Sequence, residues 1–358
     1  MNSEFWENKR VFLTGHTGFK GSWLSLWLQQ LGAKVTGYAL NPPTEPNLFE
    51  LASVLNGMHS FLGDIRNVNN LRDALNEASP EIIIHMAAQS LVRESYKNPV
   101  DTYSVNIMGT VNLLEIIRSI KGIKALIVVT SDKCYENRER LWNYREIEPM
   151  GGYDPYSSSK GCTELITAAY RSSFFNLNNY SHHGIAISTV RAGNVIGGGD
   201  WAKDRLVPDT IKAFEQNYEM QIRSPNAVRP WQHVLEPLSG YLMLAEALYN
   251  FGPDFAEAWN FGPNDEDSKT VSWVVEAIAK HWGQDVNWKN HSEANFHEAN
   301  YLKLDISKAK TKLGWSPRLN LEQSLAMVVD WSQKRLLGAN MHDFTLQQIL
   351  SYQNLIKK

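Results

Sequence analysis

The chain has 358 residues, 43% hydrophobic and 20% charged, with a formal net charge of −3. That is a globular composition with room for a large core and a companion lobe, and it gives neither nucleic acid nor a membrane surface a reason to bind. Two cysteines, Cys134 and Cys162, build no disulfide framework, residues 1–10 mix charges without a signal-peptide apolar core, and no apolar run is long enough to span a bilayer, so a soluble, cytoplasmic protein is expected.

Residues 11–13 form a β-type apolar run, glycines follow at 15, 18 and 21, and Trp23, Leu24, Leu26, Trp27, Leu28 and Leu31 recur at near-helical spacing. Strand, glycine turn and helix form the context of a dinucleotide site; an ordinary βα turn is the plainer alternative. Gly15 would permit the tight turn, Gly18 the approach of backbone N–H groups to a pyrophosphate, and Gly21 close packing of helix on strand. The phosphates would sit at the helix N-terminus, where unpaired N–H groups and the dipole favour anions. His16 and Lys20 lie inside this turn. A lysine there opposes the dipole by about 0.3–1 kcal/mol, which an anion would offset. An outward-pointing lysine is the plainer reading.

Strands are expected at 34–40, 60–62, 81–86, 125–130 and 185–191, and helices at 68–78, 101–120 and 155–176. Continuous apolar strands alternating with helices predict an α/β fold, a Rossmann-type doubly wound parallel sheet. The rhythm breaks after Arg191, where Gly197-Gly-Gly199 and several prolines mark loops and short elements. A helix at 238–249 returns to the sheet, another covers 271–281, a stop falls at 313–317, and 321–334 reads as the terminal helix. The expected division is a sheet domain of 1–191 plus about 232–257, and a smaller, discontinuous substrate lobe of about 192–231 plus 258–358.

Tyr156 and Lys160 stand four residues apart, on one face of a helix. A free phenol is a poor base at neutral pH, but a nearby ammonium and a nicotinamide cation would favour the phenolate. The pair then suits removal of a hydroxyl proton as hydride leaves the same carbon. Tyr-x-x-x-Lys is common on its own; its position after a buried strand ending in Thr130-Ser131-Asp132 strengthens it. His182-His183 lacks partners at ligand spacing, so no metal site is expected.

The glycine turn followed by Tyr156 and Lys160 resembles the extended short-chain dehydrogenase/reductase family acting on nucleotide sugars. By that resemblance, Gly15, His16, Thr17, Gly18, Phe19, Lys20 and Gly21 belong to the cofactor turn, and Asp64-Ile65 to the adenine contact. Ala87-Ala88-Gln89 would line the cofactor, and Asn106 would support the proton relay. The strand end Ser131-Asp132-Lys133 is similar to that of the nucleotide-sugar 4,6-dehydratases, with lysine replacing the usual glutamate, as in the branch acting on CDP-glucose. The resemblance implies NAD, with Tyr156, Ser131 and Lys160 in the C4 oxidation, Asp132 as acid for the C6 hydroxyl, and Lys133 at the C5 proton. Local residues leave NAD against NADP open, since neither an acid nor an arginine ends the second strand at 37–41. Arg93, Asn194, Trp201, Arg205 and Arg229 are candidates for the substrate, guanidinium suiting phosphate; Trp231 is a further candidate for the pocket wall. The alternatives are a UDP-hexose 4-epimerase, which needs no C6 acid, and a dinucleotide-sensing regulator without turnover. The helices at 101–120 and 155–176 resemble those that pair across a two-fold axis in this family, implying a homodimer or homotetramer.

Overall fold

The computed structural model describes residues 2–285, 288–290 and 301–356. Twelve strands are described: β1 (Arg10–Thr14), β2 (Lys34–Ala39), β3 (Met58–Leu62), β4 (Ile82–His85), β5 (Ala125–Val129), β6 (Ala186–Ala192), β7 (Asn194–Ile196), β8 (Met220–Ile222), β9 (Val228–His233), β10 (Ala258–Phe261), β11 (Ser268–Thr270) and β12 (Trp288–Asn290). Seven of them form a parallel sheet in the order β3-β2-β1-β4-β5-β6-β10.

This sheet is buried on both faces because its strands are apolar at consecutive positions. Val11, Leu13, Ile82, Ile84, Ile127 and Val190 face one core. Phe12, Ile83, Leu126, Val128 and Ile187 face the other. Successive side chains of a strand point to opposite faces, so each unbroken apolar run feeds both cores.

The principal helices are α1 (Phe19–Gln30), α2 (Val68–Ala78), α3 (99–117), α4 (Pro155–Ser173), α5 (Leu206–Gln216), α6 (Leu235–Phe251), α7 (Val271–Trp282), α8 (Leu321–Leu336) and α9 (Met341–Ile356). The Asn67 side chain caps α2 by accepting from Asn70 N, and Leu71, Ala74 and Leu75 form its buried stripe. A π-helical turn at Ser104–Met108 widens α3 around Asn106. The Asp154 carboxylate caps α4, accepting from Ser157 N at 2.9 Å, and Pro155 opens the first turn.

Two expectations for the second lobe are corrected. Strand 258–261 does not join it but pairs with β6 and completes the main sheet, its Trp259 and Phe261 being fully buried. Nor is 321–334 the terminal helix. Helix α9 follows, and it returns to brace α1: Tyr352 meets Trp27 edge-on with ring centroids 5.7 Å apart, and Gln353 donates to Gln30 at 2.9 Å. Polar residues alternate through α9, and its apolar positions gain meaning only from the surface they cover. Between these returning pieces, β7-β9-β11 and the β8–β12 pair form small sheets beside the C-terminal ends of the main strands.

Candidate active site

At the end of β1 the chain turns through Gly15 with φ +76°, where a Cβ would lie 2.9 Å from Ala87 N. A Cβ on Gly21 would collide with the Gly15 carbonyl, so α1 starts hard against its own turn. Gly18 caps α1 without a side-chain bond, and a Cβ there would meet only Gly15 O, at 3.4 Å. Its outer side therefore opens on the cleft, with helix N–H groups presented to it. An anionic diphosphate fits such a cradle.

The neighbouring turn is wired from below. Thr14 Oγ1 accepts from Met86 N and Ala87 N, both at 3.0 Å, and pairs with His85 Nδ1 at 2.8 Å. Asn106 accepts from Gln89 N at 2.8 Å and donates to Gln89 O at 3.0 Å and Ser159 Oγ at 2.8 Å. Ala87, Ala88 and Gln89 thus face the cleft, while Asn106 stands behind them as the tie between this turn and α4. At the other end Asp64 and Ile65 line the cleft beside Tyr38. Hydrogen bonds from Arg66 hold the Asp64 carboxyl below its ordinary value, and Arg66 also reaches Asp101 at 2.6 Å.

The side chains of two turn residues take opposite directions. His16 does not face the cleft; its ring is drawn inward into space left by the missing side chain of Gly37, with Nε2 2.7 Å from Ser60 Oγ. Burial lowers its pKa to about 4, so its side chain is neutral and packed away from the cleft. Lys20 is turned into the cleft rather than outward. Burial lowers its pKa to about 8, with Arg205 and Lys160 adding to the effect.

The reacting end is built where β5 stops. Ser131 accepts from Lys133 N at 3.2 Å and donates to Asp132 Oδ1 at 2.9 Å, setting a short turn that carries Asp132 and Lys133. Burial raises the Asp132 carboxyl above the usual range against the opposing pull of Lys133, Ser131 and Lys20. Tyr156 lies on the first turn of α4 and Lys160 on the next, both buried. All five residues line the same cleft.

The expected electrostatic partnership is altered in detail. The Lys160 ammonium donates to Val129 O at 3.1 Å, and burial lowers its pKa to about 8. Burial pushes the Tyr156 phenol up to about 12, and the opposing influences are a hydrogen bond with Ser131 and the charge of Arg205. Lys160 therefore lies beside the relay, and desolvation is the dominant influence on both groups.

Arg93, Asn194, Trp201, Arg205, Arg229 and the buried Trp231 line the same cleft. Arg205 pairs with Asp200 at 2.9 Å and donates to Ser90 Oγ at 3.2 Å across the cleft. Asp204 takes Arg93 and Arg223, each at 3.4 Å. Arg223 escapes sequence reasoning because β8 is too short to leave a pattern. The buried Glu164–Arg191 pair under β5 and β6 escapes it too, although Arg191 directly precedes the Ala-Gly-Asn194 run. The cleft encloses about 1250 Å³, more than one small ligand needs and enough for a dinucleotide and a second nucleotide together.

Comparison with known proteins agrees with this geometry. The family model described as GDP-mannose 4,6 dehydratase matches residues 12–328. A CDP-glucose 4,6-dehydratase of Salmonella typhimurium is 55% identical over 352 residues, covering 98% of each chain. Among solved structures, a Bacillus anthracis dTDP-glucose 4,6-dehydratase in complex with NAD superposes with a TM-score of 0.77 at 24% identity, over 92% of this chain and 98% of that one. A Thermotoga maritima UDP-glucose 4-epimerase with UDP-glucose gives 0.78 at 23% identity, over 91% and 99%. With the family model spanning most of its length and a cleft that unites the glycine turn with the Ser131, Tyr156 and Lys160 set, the chain belongs to the GDP-mannose 4,6-dehydratase family of extended short-chain dehydrogenases/reductases.

Proposed function

We propose that this chain is an NAD-dependent hydro-lyase that converts CDP-D-glucose to CDP-4-dehydro-6-deoxy-D-glucose and water. The observation that carries the reading is Asp132, a buried carboxyl biased toward its protonated form on the same cleft wall as Tyr156 and Lys160. An epimerase has no use for such an acid. The near-full-length likeness to the Salmonella CDP-glucose enzyme supports the choice of substrate.

When bound in the glycine turn, NAD would supply the hydride acceptor for C4 and the hydride donor for C6. Tyr156, hydrogen-bonded to Ser131, takes the C4 hydroxyl proton. Lys133 takes the proton from C5, made acidic by the new C4 ketone, and later returns it there. Asp132 gives its proton to the C6 oxygen as the C6–O bond breaks and water leaves. The proton gained by Tyr156 matches the one lost by Asp132, and the hydride removed at C4 is returned at C6, so protons and electrons both balance without an outside reductant. The turn from Gly15 to Gly21, Asp64, Ile65, Ala87, Ala88 and Gln89 would hold the cofactor, with His16 and Asn106 supporting from behind. Arg93, Asn194, Trp201, Arg205 and Arg229 would hold the diphosphate and base of the sugar nucleotide. NAD is favoured over NADP because Arg66, at the adenosine end, is engaged by Asp64 and Asp101 rather than offered to a phosphate.

A homodimer, or a tetramer built from it, is the proposed assembly. Val100, Met108 and Leu165 leave large apolar side chains exposed along α3 and α4, which sedimentation would test. No described helix is long and apolar enough to cross a membrane. We place the enzyme in the cytoplasm, feeding dideoxysugars of O-antigen and related lipopolysaccharide. Incubation with CDP-glucose and NAD, read by mass spectrometry, decides the function. Loss of one water supports it; an unchanged mass with a new epimer, or no conversion, overturns it.

A further inference from the structure

The short turn that carries Asp132 and Lys133 is anchored at both ends by one buried network. On its entry side Thr130 N donates to Val190 O at 2.9 Å, and Thr130 Oγ1 donates to Glu164 Oε1 at 2.5 Å. On its exit side stands Tyr135, 1% exposed, whose hydroxyl accepts from Arg191 Nη1 at 2.6 Å and donates to Asn260 Oδ1 at 2.8 Å. Arg191 joins the two sides, its Nε and Nη2 each donating to Glu164 at 2.8 Å. Asn260 lies on β10, and its Nδ2 donates to Tyr144 O at 2.9 Å and Asp305 O at 3.1 Å, which ties the exit side to later chain. The proposed chemistry uses none of these side chains. A buried ion pair is costly to desolvate, and apolar packing often replaces it without loss of stability, so stability alone is a weak reason for this one.

We propose that Tyr135 is a positioning residue for the elimination half of the reaction, its hydroxyl fixing the exit side of the turn through Arg191 and Asn260 and so aiming Asp132 and Lys133. The inference rests on the proposed dehydratase chemistry. The two sides of the turn serve different steps. Ser131 follows the anchored Thr130, and Tyr156 and Lys160 stand on α4, so the groups of C4 oxidation are held without Tyr135. Asp132 and Lys133 lie between Ser131 and Tyr135 and depend on both anchors. The bonds within the turn are long, Cys134 N to Ser131 O at 3.3 Å and Tyr135 N to Asp132 O at 3.4 Å. Gly151 N, 2.8 Å from Cys134 O, keeps the backbone in place without touching either reacting side chain. Loss of the exit anchor therefore falls on C5 proton removal and C6 protonation, and spares hydride transfer from C4.

Tyr135→Phe removes only the hydroxyl. The ring keeps its contact with Tyr144, centroids 5.3 Å apart, and Arg191 keeps Glu146 O at 3.1 Å, so the variant should fold. NAD-loaded enzyme is mixed with CDP-glucose, and single turnovers are followed by NADH absorbance and by mass spectrometry for loss of water. Hydride transfer from C4 should stay within about threefold of wild type, while elimination should slow by about 10–10²-fold, as for a misplaced catalytic group, so that NADH accumulates. Amide hydrogen exchange, measured on the protein alone, should quicken across 131–136 and stay unchanged across 156–164. Arg191→Lys keeps the charge opposite Glu164 but loses the fork that also reaches Tyr135; it should show the same split and carries the test should Tyr135→Phe fail to fold. Equal slowing of both steps would make Tyr135 a general brace and overturn the proposal, as would elimination at the wild-type rate or unchanged exchange across the turn. Wild-type enzyme that removes no water from CDP-glucose would instead fail the dehydratase reading, and this inference with it.

Discussion

Replacing Glu164 by Gln should destabilise the protein by about 3–5 kcal/mol at neutral pH, the range for stranding one member of a buried ion pair. The side chains of Glu164 and Arg191 are each 4% exposed. The carboxylate accepts from Arg191 Nε and Nη2, both at 2.8 Å, from Thr130 Oγ1 at 2.5 Å and from Thr189 Oγ1 at 2.6 Å. Glutamine keeps the shape but leaves the Arg191 guanidinium buried without its counter-charge. Unfolding entropy of about 2.1 cal/mol/K per residue amounts to ~0.75 kcal/mol/K for a chain of this length, so melting should fall by ~4–7 °C. Tryptophan fluorescence at pH 7 gives the readout. Burial pushes the Glu164 carboxyl up, but Arg191 and the two threonines outweigh it and hold the group below its ordinary value. Its contribution is therefore complete above the ordinary carboxylate value and lost as pH falls through the lower folded one, so variant and wild type should converge in acid. A shift below about 1 °C at pH 7 would refute the assignment of this pair as the brace beneath the catalytic strand ends.

Tyr156→Phe should reduce turnover by about 10²–10⁴-fold or more while leaving dinucleotide affinity within about threefold, as calorimetry and steady-state kinetics would show. Lys133→Met should carry out the first hydride transfer and then stall, with NADH absorbance accumulating on the enzyme and no solvent deuterium entering C5. Elimination at near wild-type rate would remove Lys133 from the chemistry. Burial raises the Glu236 carboxyl to about 7 although Tyr352, Leu319 N and Arg318 N all bond to it. A carboxyl raised on folding favours the native state below its unfolded value and withdraws that support as pH climbs to the folded one. Glu236→Gln should therefore gain in melting temperature relative to wild type between pH 5 and 8; a constant gap across that range would contradict the assignment.

The parts of the site legible in the sequence were those whose geometry is local. A positive φ at Gly15, the contact of Gly21 with its own turn, and the single helix face shared by Tyr156 and Lys160 all follow from spacing. What spacing could not convey was direction. His16 turns inward because Gly37, on another strand, leaves it room, and Lys20 turns into the cleft that distant segments enclose. Likewise the phenol of Tyr156 is governed by desolvation, a property of everything packed around it, rather than by the lysine four residues away. Strand β10, assigned to the second lobe, and helix α9, for which no element is predicted, differ for the same reason: each belongs where a remote surface needs covering.

The packing of α9 on α1 also bears on how the molecule is made. The helix that opens at the glycine turn comes early in the chain, while the residues that cover Trp27 and Gln30 come after position 340. Contacts so far apart in sequence close late, since loop closure must precede any reward from them. A nascent chain that has emerged only through α8 carries a nearly complete parallel sheet with the Tyr352 side of Trp27 still bare. Such a chain is one that chaperones would bind, and truncations before residue 341 should fail in solubility before they fail in catalysis.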